Sequence, residues 1–439
     1  MATFSEDLKA NDVLSALRNL CSEEIGFTLT TKETEKGPVI EPLKIIHYED
    51  LVEWKIDASF DCSRALSTLH DIVFKLNSTT PLWKIVIFNN CHVFFITDHV
   101  ICDGTAIINF QRLFVKHLNA ARQFPKREAP FSQSVVFDRS QSDTSYFSSS
   151  VDSYLNLRPS LAFLATTVMK TYAPTWLQNM VKPSKFGPFN LTGTVYPIPS
   201  GIAPSVHTNI HCVSITTDQM NRLHNLAKSH GVKLTSLLMY LIAKSFETII
   251  DTCNMTRDLH VEIPVNCRHL IDYRAVLEKE PGYTGLTGCY ASSIGINMPS
   301  KPLQNEDDRL NWDYVASFQL ELDRSFNARD PQSLLGLLNY IGVESYIKDI
   351  SEKQSFSGST LELSNVGYFE LQQSDEKSYY KIEDIWFSQC AGMTGSLIDV
   401  NVIGFEKGLR ITLGCDQMMP LANKVGDMAH RLVTDLSEI

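Results

Sequence analysis

The chain has 439 residues, of which 44% are hydrophobic and 20% charged, a length beyond one usual domain that predicts two lobes with sizeable cores. Its net charge of -11 excludes a nucleic-acid binder held by phosphate attraction, while leaving room for an anionic ligand in a local basic pocket. No stretch reaches the roughly 18 continuous apolar residues of a membrane span, so no helical crossing is predicted.

Met1 to Ala10 carries acidic residues and no apolar signal-peptide core, which predicts a cytoplasmic protein. Asp12 to Leu20 has helical spacing at Val13, Leu14, Leu17 and Leu20, and short strands are expected at Phe27 to Thr30 and Leu43 to His47. Cys62 to Leu76 reads as an amphipathic helix with Leu66, Leu69, Ile72, Val73 and Leu76 inward. Two strand-forming runs, Trp83 to Phe88 and His92 to Ile96, flank Asn89-Asn90, which is a hairpin signal. The second run ends at a polar cluster, His99-Val-Ile-Cys-Asp103-Gly104, and apolar residues then recur at helical spacing from Thr105 to Ala121.

From Pro125 to Ser153 the chain is rich in Ser, Asp and Gln and reads as a surface connection. Leu161 to Met169, with Trp176, Leu177 and Met180, reads as an internal helical segment packed on the core. Peripheral contact with the surface of the endoplasmic reticulum or a lipid droplet is the alternative. The density of prolines from Lys182 to Pro204 divides the chain: an N-terminal lobe over 1–181, a proline-rich crossover over 182–208 and a C-terminal lobe over 209–439.

Asn209 to Ile215 reads as a strand, Thr216 to Gln219 as a capping box, and Leu234 to Ile250 as an amphipathic helix. The strand His260 to Val265 leads to Asn266-Cys267-Arg268, and the glycine-rich run Gly282 to Gly288 precedes a strand over Cys289 to Ile296. A helix near Trp312 to Phe326 follows, then strands at Ser359 to Ser364, Ile385 to Phe387, Leu397 to Gly404 and Leu409 to Cys415, and a last helix, Ala422 to Leu436. Strands and helices mix without strict alternation, so the fold class is α/β or α+β in two lobes. The ten cysteines include no Cys-x-x-Cys and read as reduced, mostly buried thiols. His207 and His211 lack the context of a metal pair and read as surface histidines.

The strand-loop-helix at 94–104 carries the chemistry. A histidine there can face a cavity while both flanking elements hold it still, and its pKa near 6.5 suits it to take and return a proton near neutral pH. The residues alone leave a second reading open, in which Asp103 simply caps the following helix.

Several motifs in order resemble the coenzyme-A-dependent acyltransferases of the chloramphenicol acetyltransferase fold, and within them the fungal alcohol acetyltransferases. These are Pro81-Leu-Trp-Lys, His99 to Gly104, the helix pair over 217–250, Pro264-Val-Asn-Cys-Arg268, the glycine-rich 282–288 and Leu363-Ser-Asn-Val-Gly367. The likeness runs from about Val13 to the C-terminus. It implies two similar lobes with mixed sheets and a substrate tunnel between them. His99 maps onto the general base and Asp103 onto an orienting residue paired with Arg268 of the other lobe; Gly104 completes the motif. Ser364, Asn365 and Gly367 are candidates for contacting the oxyanion or the substrate, although Ser-Asn-x-Gly can also simply shape a bend.

The implied reaction moves an acetyl group from acetyl-CoA, as co-substrate, to a hydroxyl of a small or lipid-like alcohol. It needs no metal and no partner beyond these small molecules, and a monomer suffices. The alternatives are N-acetylation of a hydrophobic amine or amino alcohol, and a non-catalytic member that binds a ligand or partner. Two departures stand out. Asp98 replaces the first histidine of the family's usual pair, and an anion there would raise the pKa of His99. Family members also carry a further segment ahead of the helix expected here at 12–20.

Overall fold

The computed structural model describes residues 1–123, 134–144, 149–172, 207–249, 259–299, 310–340, 342, 359–370, 378–392, 395–417, 419 and 421–439. The crossover up to residue 206, and Trp176, Leu177 and Met180, lie outside the described residues.

Two sheets organise the molecule. The first contains β1 (Ala2–Phe4), β5 (Val52–Lys55), β6 (Trp83–Phe88), β7 (His92–Thr97) and β13 (Ile382–Ile385), in the order β13-β1-β7-β6-β5. Smaller pairs are β2 (Leu29–Thr34) with β3 (Gly37–Pro42), and β4 (Ile45–His47) with β8 (Val135–Asp138). The β6–β7 hairpin turns at Asn89 and Asn90, with φ of 49° and 62°. Two successive left-handed residues match the right-handed twist of the flanking strands, and asparagine tolerates that conformation best after glycine. The helices Ala10–Glu23 and Gly104–Gln123 pack together. Between them and the sheet an aromatic core forms, in which Phe95 and Phe110 stack at 3.7 Å between ring centres. Trp83 is fully buried there, and its indole N–H donates to the Phe27 carbonyl at 2.6 Å.

The second sheet holds β9 (Thr208–Ile215), β10 (Leu259–Asn266), β11 (Ala291–Met298), β12 (Leu361–Tyr368), β14 (Ile398–Phe405) and β15 (Gly408–Asp416), in the order β11-β10-β12-β14-β15-β9. Strand alternation sends Val261, Ile263, Leu361, Leu363 and Val400 into a core shared with the helices Leu234–Glu247, Trp312–Asn327 and Val425–Glu438. Glu262, Glu362 and Asp399 therefore emerge on the opposite face. The capping box is present at Thr216 and Gln219, opening the helix Thr217–Ser229.

Three sequence expectations change. The helix starting at Cys62 ends at Leu69; beyond it Ile72 and Phe74 still pack against core clusters, whereas Val73 is 89% and Leu76 46% exposed, so the apolar spacing over 72–76 does not form one buried helical face. The strand expected at 385–387 lies at 382–385 and pairs with β1. It thus belongs to the first sheet although it comes after residue 209, a placement that no linear boundary expresses. Finally, the segment Ala2–Phe4, too short to show periodicity, is a strand between β7 and β13.

Candidate active site

β7 delivers the loop. After Thr97, the Asp98 carboxylate accepts the Val100 backbone N–H at 2.9 Å, closing a turn that leaves His99 exposed at its tip. Cys102 and Asp103 then plunge into the interior. Asp103 Oδ1 accepts the Ala106 N–H at 2.9 Å and so caps the helix Gly104–Gln123. Its Oδ2 accepts the Tyr290 N–H at 2.8 Å and Arg268 Nη1 at 2.5 Å. The cap and the ion pair are thus two roles of one carboxylate.

Arg268 is as buried as its partner and fully engaged. Its Nε donates to the Gly285 carbonyl at 2.7 Å and its Nη2 to those of Thr287 at 3.2 Å and Gly288 at 3.0 Å. The guanidinium also lies 4.5 Å from the centre of the Tyr290 ring. The glycine-rich run is therefore a backbone cradle for an arginine, not a phosphate loop. Gly288 (φ +92°) also exchanges hydrogen bonds with the histidine loop, its N–H donating to Ile101 O at 3.1 Å and its carbonyl accepting from Asp103 N at 3.3 Å. On its far side the run is held by Glu24, which accepts the hydroxyls of Thr284 at 2.5 Å and Thr287 at 2.9 Å. Burial raises the Glu24 pKa against the opposing pull of these bonds.

A residue not expected from the sequence joins His99. Cys289, the exposed residue that follows the glycine run, places Sγ 3.5 Å from His99 Nδ1. That hydrogen bond favours the imidazolium, outweighs the desolvation of the ring by its surroundings, and holds His99 up at about 9. The perturbing neighbour is thus Cys289 and not Asp98, which is committed to its turn. Its only sequence signal is adjacency to Gly288. Because the active base is the neutral imidazole, activity should rise with pH through this raised value. Cys289→Ala is expected to move the midpoint of the kcat/KM profile down toward the ordinary histidine value of about 6.5 and to raise kcat/KM at pH 7 by up to about 75-fold, as the neutral fraction of His99 goes from about 1% to about 75%. An unchanged midpoint would show that the thiol does not set the protonation of His99.

The other expected site residues are placed unequally. Gly104 sits where the lobes meet closely: a Cβ there would lie 2.9 Å from Val366 Cγ1 and 3.3 Å from the Phe387 ring, so glycine permits the approach. Ser364 is buried on β12, two residues beyond Glu362 on the same face. Asn365 and Gly367 are exposed and engaged elsewhere. Asn365 Nδ2 donates to Thr235 Oγ1 at 3.3 Å, and its Oδ1 accepts the Gly367 N–H at 3.0 Å. With φ of +83°, Gly367 makes a bend in the strand rather than an amide free for an oxyanion. His207 pairs with Asp71 at 3.0 Å.

A histidine on a strand-to-helix loop, braced by an aspartate-arginine pair reaching from the second sheet, defines a two-lobed protein of the condensation-domain and chloramphenicol acetyltransferase type. Solved structures agree at the level of fold. The epimerization domain from the third module of tyrocidine synthetase B superposes with a TM-score of 0.57 at 11% identity, covering 100% of this chain and 91% of that one. The first condensation domain of the CDA synthetase gives 0.52 at 13%, covering 100% and 92%. The chain belongs to the alcohol acetyltransferase family, whose model matches residues 39–423. Among its relatives, an uncharacterized protein of Schizosaccharomyces pombe is 24% identical over 387 residues, covering 85% of this chain and 76% of that one. N-acetyltransferase SLI1 of Saccharomyces cerevisiae is 25% identical over 391 residues, covering 85% and 79%. The protein is accordingly an acyltransferase.

Proposed function

We propose that the protein transfers an acetyl group from acetyl-CoA to a hydroxyl of a small or lipid-like alcohol, with His99 as general base. The observation that carries this reading is the exposed imidazole at the tip of a loop whose next residues are anchored by the buried Asp103–Arg268 pair. A base so held can remove the proton of the attacking hydroxyl and return it to the departing thiolate, so one side chain serves both transfers without a covalent intermediate. The negative charge on the tetrahedral intermediate needs a donor, and Ser364 is the candidate whose hydroxyl is not committed to a described partner.

A second reading is transfer to an amine, favoured by the relative named an N-acetyltransferase. The test is release of free coenzyme A from acetyl-CoA by the purified protein, offered short alcohols, a sterol, a long-chain amino alcohol and aromatic amines in turn. Release with an alcohol supports the first reading, and release confined to amines supports the second. Thermal stabilisation by coenzyme A with no release across the panel would replace both with a non-catalytic binder.

A further inference from the structure

Three acidic side chains stand side by side on the face of the second sheet opposite its helical core. Strand register pairs Glu262 on β10 with Glu362 on β12, and Glu362 with Asp399 on β14. Asp399 is 3% exposed. Among the described residues none of the three is in an ion pair. Their hydrogen bonds come from neutral groups: Ser293 Oγ to Glu262 at 2.5 Å, Gln389 Nε2 to Glu362, and Ser396 Oγ to Asp399. Burial, and then the neighbouring carboxylates, push Glu362 up to about 7 and Asp399 well above the carboxylate range. The charge of His99 acts on Glu362 in the opposite sense, so Glu362 lies within electrostatic reach of the base.

An independent sign of a missing ligand is Asn401, two residues beyond Asp399 and therefore on the same face. Asn401 is 0% exposed, and its Oδ1 accepts no hydrogen bond from the described residues. Its Nδ2 donates to Thr412 Oγ1 on β15 at 3.2 Å. Register sets Asn401 between Thr412 on β15 and Ser364 on β12, on the face that Ser364 shares with Glu362. Buried carbonyl oxygens without a donor are rare, and here three carboxylates that lack a cation share its face.

We infer that Glu262, Glu362, Asp399 and the Asn401 carbonyl form a subsite for the ammonium group of an amine-bearing acceptor. An ammonium supplies both missing features, a positive charge and several N–H donors. The members of the cluster that are ionised disfavour the phosphates of coenzyme A, and the protonated ones ionise when a cation binds, so the subsite suits an acceptor with an ammonium. The inference rests on the acyl-transfer reading only in taking the acceptor as the occupant. For transfer to nitrogen, the ammonium gives one proton to the ionised Glu362 carboxylate, which later returns it to solvent. The resulting amine attacks the thioester carbonyl, forming the C–N bond, and its second proton passes to His99 as the C–S bond breaks. The departing thiolate takes that proton from His99. The amide product is neutral and loses its attraction to the acids, which favours release.

The test is calorimetric titration of the full chain, in the presence of coenzyme A, with octylamine and with octanol. Wild type is expected to bind the amine at least tenfold more tightly, with the amine-to-alcohol ratio falling toward one in Glu362→Gln; if that variant does not fold, Glu262→Gln serves. Equal affinities in wild type overturn the inference, as does a variant that weakens both ligands alike, since that marks a structural role. Acetyl-CoA turnover is followed separately. An amine preference without coenzyme A release refutes acyl transfer and keeps the subsite, whereas release without preference does the reverse.

Discussion

His99→Ala is expected to lower kcat/KM for coenzyme A release by about 10²- to 10⁴-fold, the range that a positioned general base contributes. The melting temperature should hardly move, because the side chain is exposed at a loop tip and its described side-chain hydrogen bond is to Cys289. The pair of measurements separates chemistry from folding. Full activity in the variant would dismiss His99 as the base, and a large fall in melting temperature would make it a structural residue.

The opposite pattern is expected for the ion pair beneath it. Asp103→Ala leaves Arg268 buried without a counter-charge and removes the cap of the helix Gly104–Gln123 together with the acceptor of Tyr290 N–H. Arg268→Ala strands the carboxylate and frees three carbonyls of the glycine-rich run. Breaking a buried pair from one side typically costs about 3–5 kcal/mol, which denaturant titration resolves easily. Both variants should therefore unfold well before His99→Ala does. Equal stability of all three would contradict a joint between the lobes. Activity also falls in the pair variants, because the loop that presents His99 loses its anchor.

Much of this site was legible in the chain. The strand-forming run ending at Ile96, the turn residues and the helical spacing after Gly104 follow from local residue type and period, as do the Asn89-Asn90 turn and the capping box at Thr216. What escaped was non-local. Apart from following Gly288, Cys289 has nothing in its local sequence that marks it out, and its meaning comes from lying 3.5 Å from a histidine 190 residues earlier. The acids at 262, 362 and 399 sit in three separate strands, each an ordinary polar position in an alternating run. Asn365 and Gly367 were drawn toward the chemistry by their motif, while the structure gives them the work of a bend.

By itself the sequence determined most of the elements, the two α/β lobes and the loop that carries the base, because those depend on side-chain period, turn chemistry and capping within a few residues of each other. The tertiary structure decided that Asp103 serves as cap and strut together, that a strand after residue 380 completes the first sheet, and that three carboxylates stand abreast. Strand order and register bring distant residues to one face, and they are fixed by burial across the whole molecule rather than by any local stretch.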